Sequence, residues 1–312
     1  LNDTARLAEK PEIRYAVAIN NPGTVVFSAG MPGGVTNRGG VYVVPVVGGS
    51  IETVAIRGQA VPGRVGQTFQ DTFEPGGHNV DINDAGVILF RNQYQLSSPL
   101  DTGAYSAVAS GGGFVHTRIF DTGPGLTIPG EPASSEYSGF VLPSINESNV
   151  VAPWSRVFPS PTPNQQGFFY TDEDGTPNAL VANLLTAPPG QAAPVGGFPR
   201  FTGFEQSNGA LGALNELGNL TFLGVGNPTA STGFRGIYFY DVCTPELVRI
   251  SDSTISSVQL AGAVNNGYDI WQVESHAGMY RAINNLNDVA FAVHFSNFDY
   301  GLYIAHITAG GG

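Results

Sequence analysis

The sequence predicts an all-β protein built from one repeated sheet, and three observations support this. Short apolar runs alternate with turn residues along the whole chain of 312 residues, in which Gly (42) and Pro (22) are frequent. One hairpin pattern recurs five times at nearly constant spacing. Further apolar runs follow each hairpin at similar distances. Regular self-similarity of this kind indicates a tandem β-repeat.

The hairpin pattern is an apolar strand, an asparagine, two variable residues, a glycine or asparagine, and a second apolar strand. Its leading asparagines are 63, 63, 69 and 69 residues apart. Asn replaces Gly in two copies, and Asn is among the few non-glycine residues that tolerate positive φ. The turn position is therefore predicted to be left-handed, with the leading asparagine closing the turn. The turn motif comprises Asn20, Gly23, Asn83, Gly86, Asn146, Asn149, Asn215, Gly218, Asn284 and Asn287.

The remaining strands of each unit are predicted from the same periodicity. Residues 12–19 form the first strand of the first hairpin. A third strand opens at a glycine in every copy: Gly40, Gly103, Gly167, Gly236 and Gly301. A fourth strand follows in the first four copies, at residues 51–57, 114–120, 179–185 and 246–250. Each unit is thus predicted to be a four-stranded antiparallel meander.

Such a meander cannot bury both faces alone, and stacking the sheets around a ring solves this. The fifth unit ends after its third strand, near Ile307, and residues 4–8 supply a candidate for its missing strand. We therefore expect one domain, 1–312, forming a five-bladed β-propeller of four-stranded antiparallel blades, the last closed by an N-terminal strand. An open or differently grouped β array is the alternative. The predicted repeat units are 14–78, 79–141, 142–210, 211–279, and 280–308 plus 1–13.

Charge and cysteine content restrict the partners and the compartment. The net charge is −12, from 25 acidic and 13 basic residues, so the basic stripe of a nucleic-acid binder is missing. One cysteine, Cys243, excludes an internal disulfide. No apolar run reaches the roughly 18 residues of a membrane span. With a start at Leu1, this composition favours a bacterial protein at the cell surface or outside the cell, its signal peptide removed.

The repeat resembles the NxxGxxxF (also written NxxGxxAF) tandem-repeat proteins of bacteria. The matching residues are Asn20/Gly23/Phe27, Asn83/Gly86/Phe90 and Asn215/Gly218/Phe222, and more loosely Asn284/Asn287/Phe291 and Asn146/Asn149. The resemblance implies an exported protein that resides at a surface or in a matrix, in a family whose members often bear varied C-terminal surface anchors. It implies no reaction, since the motif residues are of turn and core types.

Acidic residues supply the candidates for metal binding and catalysis. The stretch from Asp172 to Gly175 is the densest acidic cluster, and it is interpreted as a solvated turn or as a weak calcium site at Asp172 and Asp174. No other cofactor is predicted. A glycosidase requires paired carboxylates, for which the candidates by position are Asp81, Glu147, Glu216 and Asp288. The preference of turns for acidic residues is the alternative explanation.

Aromatic residues in predicted rim loops are candidates for stacking on sugar rings, with loop or core packing as the alternative. They are Phe69, Phe73, Tyr137, Phe198, Phe201 and Trp271. The preferred function is an exported, non-enzymatic binding or scaffold propeller with a glycan or protein partner on one rim. The alternatives are a carbohydrate-active, glycoside hydrolase-like enzyme with carboxylates in the propeller channel, and a purely structural subunit of a larger surface assembly.

Overall fold

The computed structural model shows strands and turns, and no helix, among the residues it describes. This confirms the all-β prediction. The described residues hold no helix long and apolar enough to cross a membrane. They are 12–30, 39–45, 49–70, 80–94, 101–122, 128, 135–158, 166–171, 177–183, 186–189, 201–204, 213–229, 232–252, 270–274, 282–295 and 300–308.

The first two copies of the repeat form four-stranded sheets with strands in chain order. The first sheet contains β1 (Glu12–Ile19), β2 (Val25–Gly30), β3 (Gly40–Val44) and β4 (Glu52–Ile56). The second contains β5 (Val80–Ile82), β6 (Ile88–Tyr94), β7 (Asp101–Ser110) and β8 (Gly113–Asp121). All their neighbouring strands run antiparallel. The meander predicted for these copies is therefore confirmed.

The third sheet is also four-stranded, and the fourth has a divided first strand. The third contains β9 (Glu136–Ile145), β10 (Val151–Phe158), β11 (Gln166–Thr171) and β12 (Pro177–Asn183). The fourth contains β13 (Phe201–Phe204), β14 (Ala213–Leu214), β15 (Leu220–Thr229), β16 (Thr232–Asp241) and β17 (Glu246–Asp252). Both β13 and β14 pair with β15, so a single edge receives two short strands.

The fifth sheet has three described strands, β18 (Ile270–Glu274), β19 (Asp288–Phe295) and β20 (Tyr300–His306). Among the described strands, β20 pairs only with β19. The candidate closing strand at residues 4–8 lies outside the described residues. The chain divides into two compact units, one of residues 1–164 and 170–179 and the other of residues 165–169 and 180–312.

A phenylalanine stacked on a tyrosine recurs in the core of four sheets. The phenylalanine lies on the second strand of the hairpin, and the tyrosine faces it directly on the third strand. The ring centroids are 5.6–5.8 Å apart and the planes differ by 26–32°. Aromatic pairs prefer such offset stacking. The pairs are Phe27–Tyr42, Phe90–Tyr105, Phe222–Tyr238 and Phe291–Tyr303.

The glycine that opens the third strand makes room for this tyrosine. Residues two apart on a strand share a face, so the ring of Tyr42 lies over Gly40. A Cβ atom at Gly40 would be 2.8 Å from Cζ of Tyr42, and one at Gly301 would be 2.5 Å from Cε2 of Tyr303. Three of the marker glycines, Gly40, Gly103 and Gly301, are thus required by the close approach of an aromatic ring.

Within the first unit, the first and second sheets share one apolar core that includes Val41, Val54, Phe90 and Tyr105. His116 on β8 links the two sheets, because its Nε2–H donates to the carbonyl of Val54 at 2.8 Å. Burial lowers the pKa of His116 and outweighs the opposing effect of this hydrogen bond. The imidazole is therefore a neutral donor, half-buried beside the aromatic rings of Phe69 and Phe90.

Replacement of the turn glycine tests the left-handed conformation. Gly86 has φ of 81° and open space around its Cα, so only backbone strain opposes a side chain there. We expect Gly86→Ala to lower the free energy of unfolding by about 1–2 kcal/mol. Gly86→Asn should cost less than half of that, because Asn149 occupies the equivalent position at φ of 62°. Urea denaturation of the two variants measures this; equal losses would contradict the interpretation.

Candidate functional site

The five Asn-x-x-Gly turns have one common geometry. In the second copy, Gly86 N–H donates to the Asn83 carbonyl at 3.0 Å, and Val87 N–H donates to Asn83 Oδ1 at 2.9 Å. The same two hydrogen bonds occur in the other four copies. The glycine position has φ of 61–89° in every copy. The left-handed turn closed by the asparagine side chain, predicted from the sequence, is therefore confirmed.

The nitrogen end of three of the buried asparagine side chains reaches the neighbouring sheet. Asn20 Nδ2 donates to the carbonyl of Asn83 at 2.9 Å, and Asn83 Nδ2 donates to the carbonyl of Asn146 at 3.0 Å. Asn215 Nδ2 donates to the carbonyl of Asn284 at 3.0 Å in the second unit. One amide thus closes its own turn through oxygen and joins the next repeat through nitrogen. We call this set of inter-repeat bonds the asparagine ladder.

The two asparagines that replace glycine extend the asparagine ladder. Oδ1 of Asn149 accepts a hydrogen bond from Asn83 Nδ2. Oδ1 of Asn287 accepts from Asn215 Nδ2 and from Asn219 Nδ2, each at 2.9 Å. Asn at this position therefore supplies an acceptor that glycine lacks, while still adopting the required φ.

The residue after each leading asparagine forms a second set of inter-repeat bonds. Asp84 accepts from the backbone N–H of Asn21 at 2.7 Å, and both Glu147 carboxylate oxygens lie 2.7 Å from the N–H of Asp84. In the second unit, Asn285 Oδ1 accepts from Glu216 N–H at 3.0 Å. The sequence contained a signal for this arrangement that our reasoning missed, since all five residues at this position carry a side-chain carbonyl or carboxylate oxygen.

Three of the candidate carboxylates lie in these turns or beside them. Asp81 joins the second and third sheets, because its Oδ2 accepts from Ile145 N–H at 3.1 Å. We define the turn face of the first unit as residues 20–23, 81–86 and 146–149. It holds Asp81, Asp84 and Glu147, each partly exposed, while Glu216 lies in the equivalent turn of the second unit.

Asp288, the fourth candidate, pairs with a histidine at the start of β19. Its Oδ2 accepts from Asn284 Nδ2 at 2.8 Å, and its Oδ1 lies 2.6 Å from Nδ1 of His306, directly opposite on β20. The hydrogen bond from Asn284 and then that from His306 lower the pKa of Asp288. Asp288 is therefore held as a carboxylate in an exposed cross-strand pair.

Three of the predicted sugar-stacking aromatics are core residues, which corrects their assignment to an exposed rim. Phe69 and Phe201 have no exposed surface, and Tyr137 is 2% exposed. Phe69 packs edge-on against Tyr105, and Phe201 packs edge-on against Tyr238. Tyr137 and Phe201 lie on β9 and β13, because the first strands of these sheets begin earlier than the sequence pattern indicated.

The remaining predicted ligand residues have no described side chain. Trp271 lies on β18, and only its backbone is described. Phe73, Phe198 and the proposed calcium ligands Asp172 and Asp174 lie outside the described residues. Within the described part of the chain, no three His, Cys, Asp or Glu side chains are grouped as metal ligands. Calcium binding at residues 172–174 stays a prediction.

Comparison with family models gives one match, a family of unknown function designated DUF7453, over residues 4–309. The chain belongs to DUF7453. A comparison with curated proteins gave no match. None of these comparisons bears on the resemblance to NxxGxxxF proteins or on export, which stay predictions.

Solved structures with a similar β architecture to this DUF7453 chain include carbohydrate-active enzymes. An α-L-arabinanase from Penicillium chrysogenum is 11% identical with a TM-score of 0.42, and the match covers 96% of this chain and 79% of that one. An endo-arabinase from Bacteroides thetaiotaomicron is 13% identical with a TM-score of 0.32, covering 92% and 91%. The polysaccharide lyase Uly1 is 11% identical with a TM-score of 0.39, covering 92% of this chain and 56% of the lyase. The DUF7453 chain therefore spans little more than half of the lyase's length.

These enzymes correct the functional expectation drawn from the sequence. Against the expected non-enzymatic binding or scaffold protein, the matched structures are an arabinanase, an endo-arabinase and a polysaccharide lyase. From the sequence, the turn motif was interpreted as purely structural. The acidic residues around it were explained mainly by the preference of turns for such residues. Matches at these identities and TM-scores transfer no activity or substrate to this chain.

Loss of one ladder asparagine should destabilise the protein according to its burial. Asn83 is 2% exposed, so Asn83→Ala leaves the Val87 N–H and the Asn146 carbonyl without their partner and away from water. We expect a loss of roughly 2–4 kcal/mol in the free energy of unfolding. Asn284→Ala is the matched control, expected to cost about 1 kcal/mol or less because Asn284 is exposed and water replaces its bonds. Chemical denaturation measures both, and similar losses would rule out burial as the cause.

Proposed function

We propose that this DUF7453 member is a carbohydrate-active enzyme that cleaves a polysaccharide with the Asp81 and Glu147 carboxylates of the turn face. A saccharide is proposed as the substrate by analogy with the arabinanases and the lyase. The observation that supports an enzyme is the grouping of acidic side chains from two adjacent sheets on the turn face of the first unit.

Direct contacts hold this group of carboxylates together. The Glu147 carboxylate contacts the backbone of Asp84, and the Asp81 carboxylate contacts the backbone of Ile145, two residues before Glu147. Asp81 and Glu147 therefore project from adjacent sheets into the same small region. Glycosidic bond cleavage typically uses two carboxyl groups on opposite sides of the bond, about 5–10 Å apart, one as acid and the other as base or nucleophile.

Backbone bonds position these side chains, which is a requirement for catalysis. Asp81 is bonded at both oxygens, since Oδ1 accepts from Ile82 N–H at 2.9 Å and Oδ2 from Ile145 N–H. Glu147 is bonded at both oxygens to a single N–H. Strands and tight turns carry both residues, so their orientation is set before a substrate binds. All three carboxylates remain partly exposed and accessible.

The test is depolymerisation by the intact chain of a panel of arabinans, other neutral polysaccharides and uronate-containing polysaccharides. We expect new reducing ends, together with an unsaturated uronate chromophore if cleavage proceeds by elimination. Asp81→Asn and Glu147→Gln should each lower the rate at least 100-fold, since general acid–base catalysis contributes about 10²–10⁴-fold.

Asp84→Asn is the matched control, because it removes a neighbouring charge and keeps an amide oxygen for Asn21 N–H. Its rate should stay within a few-fold of the unaltered chain. If no polysaccharide is cleaved, or if all three variants retain full activity, the proposed function fails. Melting temperatures of the variants separate loss of activity from loss of folding.

We also propose that the repeats close into a five-bladed propeller, with residues 4–8 as the last strand. Two observations support this. β20 is an edge strand among the described residues, and Tyr300, Leu302 and Ile304 on it are 62–74% exposed. Exposed apolar edges promote aggregation, and proteins usually cover them.

Removal of residues 1–10 tests the closure. We expect a melting temperature lower by at least about 5 °C and increased self-association, because β20 would lose its pairing strand. Removal of residues 309–312, which follow β20, is the control and should leave both properties unchanged. An unaltered melting temperature after the first deletion would contradict closure by this strand.

A further inference from the structure

A row of polar groups crosses the second sheet at the strand ends opposite to the turn face. Asn92 on β6 faces Gly103 on β7, and Gly103 faces Asp121 on β8. Gly103 has no side chain, and the hydroxyl of Tyr105 lies over it, in contact with the place where a Cβ atom would be. The Tyr105 hydroxyl is therefore positioned between Asn92 and Asp121.

A buried ion pair completes one end of this row. Asp121 has no exposed surface, and its two oxygens accept from Arg64 Nε at 2.9 Å and Nη2 at 2.6 Å. Arg118 approaches the same carboxylate at 3.4 Å. The Arg64 guanidinium also lies 5.9 Å from the centre of the Tyr94 ring. The charge of the buried Asp121 carboxylate is thus balanced by the two arginines, as burial of a charge requires.

The other end of the row lacks such compensation within the protein. Asn92 is 1% exposed and Tyr105 has no exposed surface. Neither the Asn92 amide oxygen, nor its nitrogen, nor the Tyr105 hydroxyl has a hydrogen-bond partner in the described structure. Burial, together with the charge of Asp121, raises the pKa of Tyr105, so its hydroxyl stays protonated. Buried polar atoms of this kind normally have a partner, and ordered water is a common one where the protein supplies none.

Both side chains point to the same side of the sheet. Phe90 and Asn92 are two apart on β6 and so share a face, and Phe90 stacks on the Tyr105 ring. The Asn92 amide therefore lies on the side occupied by Tyr105. Its free acceptor and two free donors, together with the hydroxyl, match a group that both donates and accepts hydrogen bonds.

Among the first, second, fourth and fifth sheets, the buried amide is particular to the second. The residue that pairs with the glycine before the stacked tyrosine is Ala29 in the first sheet, Gly224 in the fourth and Val293 in the fifth. All three are apolar, so the fold does not require an amide at this position. A departure from the repeat that costs desolvation points to a specific role, since apolar side chains fill the same place elsewhere.

We propose that Asn92 and Tyr105 together bind a hydroxyl group, contributed by a bound water molecule or by a saccharide. The hydroxyl donates to Asn92 Oδ1 and accepts from the Tyr105 hydroxyl. This site lies at the opposite ends of the strands from the turn face, and it does not depend on the proposed catalytic carboxylates.

A double-mutant cycle with Asn92→Val and Tyr105→Phe tests the shared ligand. Each single change should lower the melting temperature by roughly 2–4 °C, because the ligand loses one anchor and the other side chain loses its partner. The double variant should lose little more than one single variant, because both changes remove the same ligand. Tyr303→Phe is the matched control, since Val293 replaces the amide there, and it should leave the melting temperature unchanged.

Two further measurements identify the source of the hydroxyl. A high-resolution crystal structure of the unaltered chain should show a molecule within hydrogen-bond distance of both Asn92 and Tyr105. Titration with a panel of mono- and disaccharides should raise the melting temperature of the unaltered chain, and not that of Asn92→Val, if the ligand is a saccharide. Ordered density with no response to any saccharide assigns water.

Three results would overturn the proposal. One is a rise in melting temperature on Asn92→Val, because replacing a buried amide that binds no ligand removes only its desolvation cost. Another is additivity of the two changes, which would show that the side chains act separately. The last is a crystal structure in which no molecule contacts both residues.

Discussion

The asparagine amide at each turn is the interaction on which the repeated architecture depends. Its oxygen satisfies a backbone N–H of its own turn, and in three described copies its nitrogen satisfies a carbonyl of the next sheet. Aspartate offers no donor when ionised, and serine has one polar atom, so neither can perform both tasks in the same geometry. This double requirement explains why one residue type recurs while most of each repeat varies.

The two sets of inter-repeat bonds change how the acidic residues of the turns are interpreted. Asp84 and Glu147 accept backbone hydrogen bonds from the preceding repeat, so acceptor character is needed there for structural reasons alone. Asn285 performs the same task in the second unit without a charge. A charge at Glu147 is therefore not required by this second set of inter-repeat bonds. Asp288 differs, because a histidine and an asparagine of its own repeat bind it.

Local patterns in the sequence predicted the elements of the sheets well. The first strand was predicted at residues 12–19 and lies at Glu12–Ile19, and the third strands of the first and fifth copies lie at their marker glycines. Turn handedness was also predictable, since the exchange of Gly for Asn reports directly on φ. These features depend on residues close together in the chain, where spacing carries the information.

Features that join distant residues were not predictable in this way. The ladder connects positions 63 or 69 residues apart, and the Arg64–Asp121 ion pair joins residues 57 apart. A single sequence shows no sign that such groups meet. Phe69, Tyr137 and Phe201 were assigned to rim loops because they lie within or next to Gly- and Pro-rich segments, yet burial depends on which sheet packs over them. The preferred non-enzymatic function was inferred from the turn motif. That motif carries no information about which side chains of different repeats lie close together.

The bonds between repeats also have a direction. In each described pair, the earlier copy donates through its asparagine nitrogen and through the following backbone N–H, and the later copy accepts. In these three pairs, the earlier copy thus presents donors and the later copy presents acceptors. Tandem duplication of a gene segment preserves this pairing at each new junction. A repeat packed in the opposite orientation would instead place donors against donors. The chemistry of one amide therefore favours growth of such proteins by head-to-tail duplication of whole units.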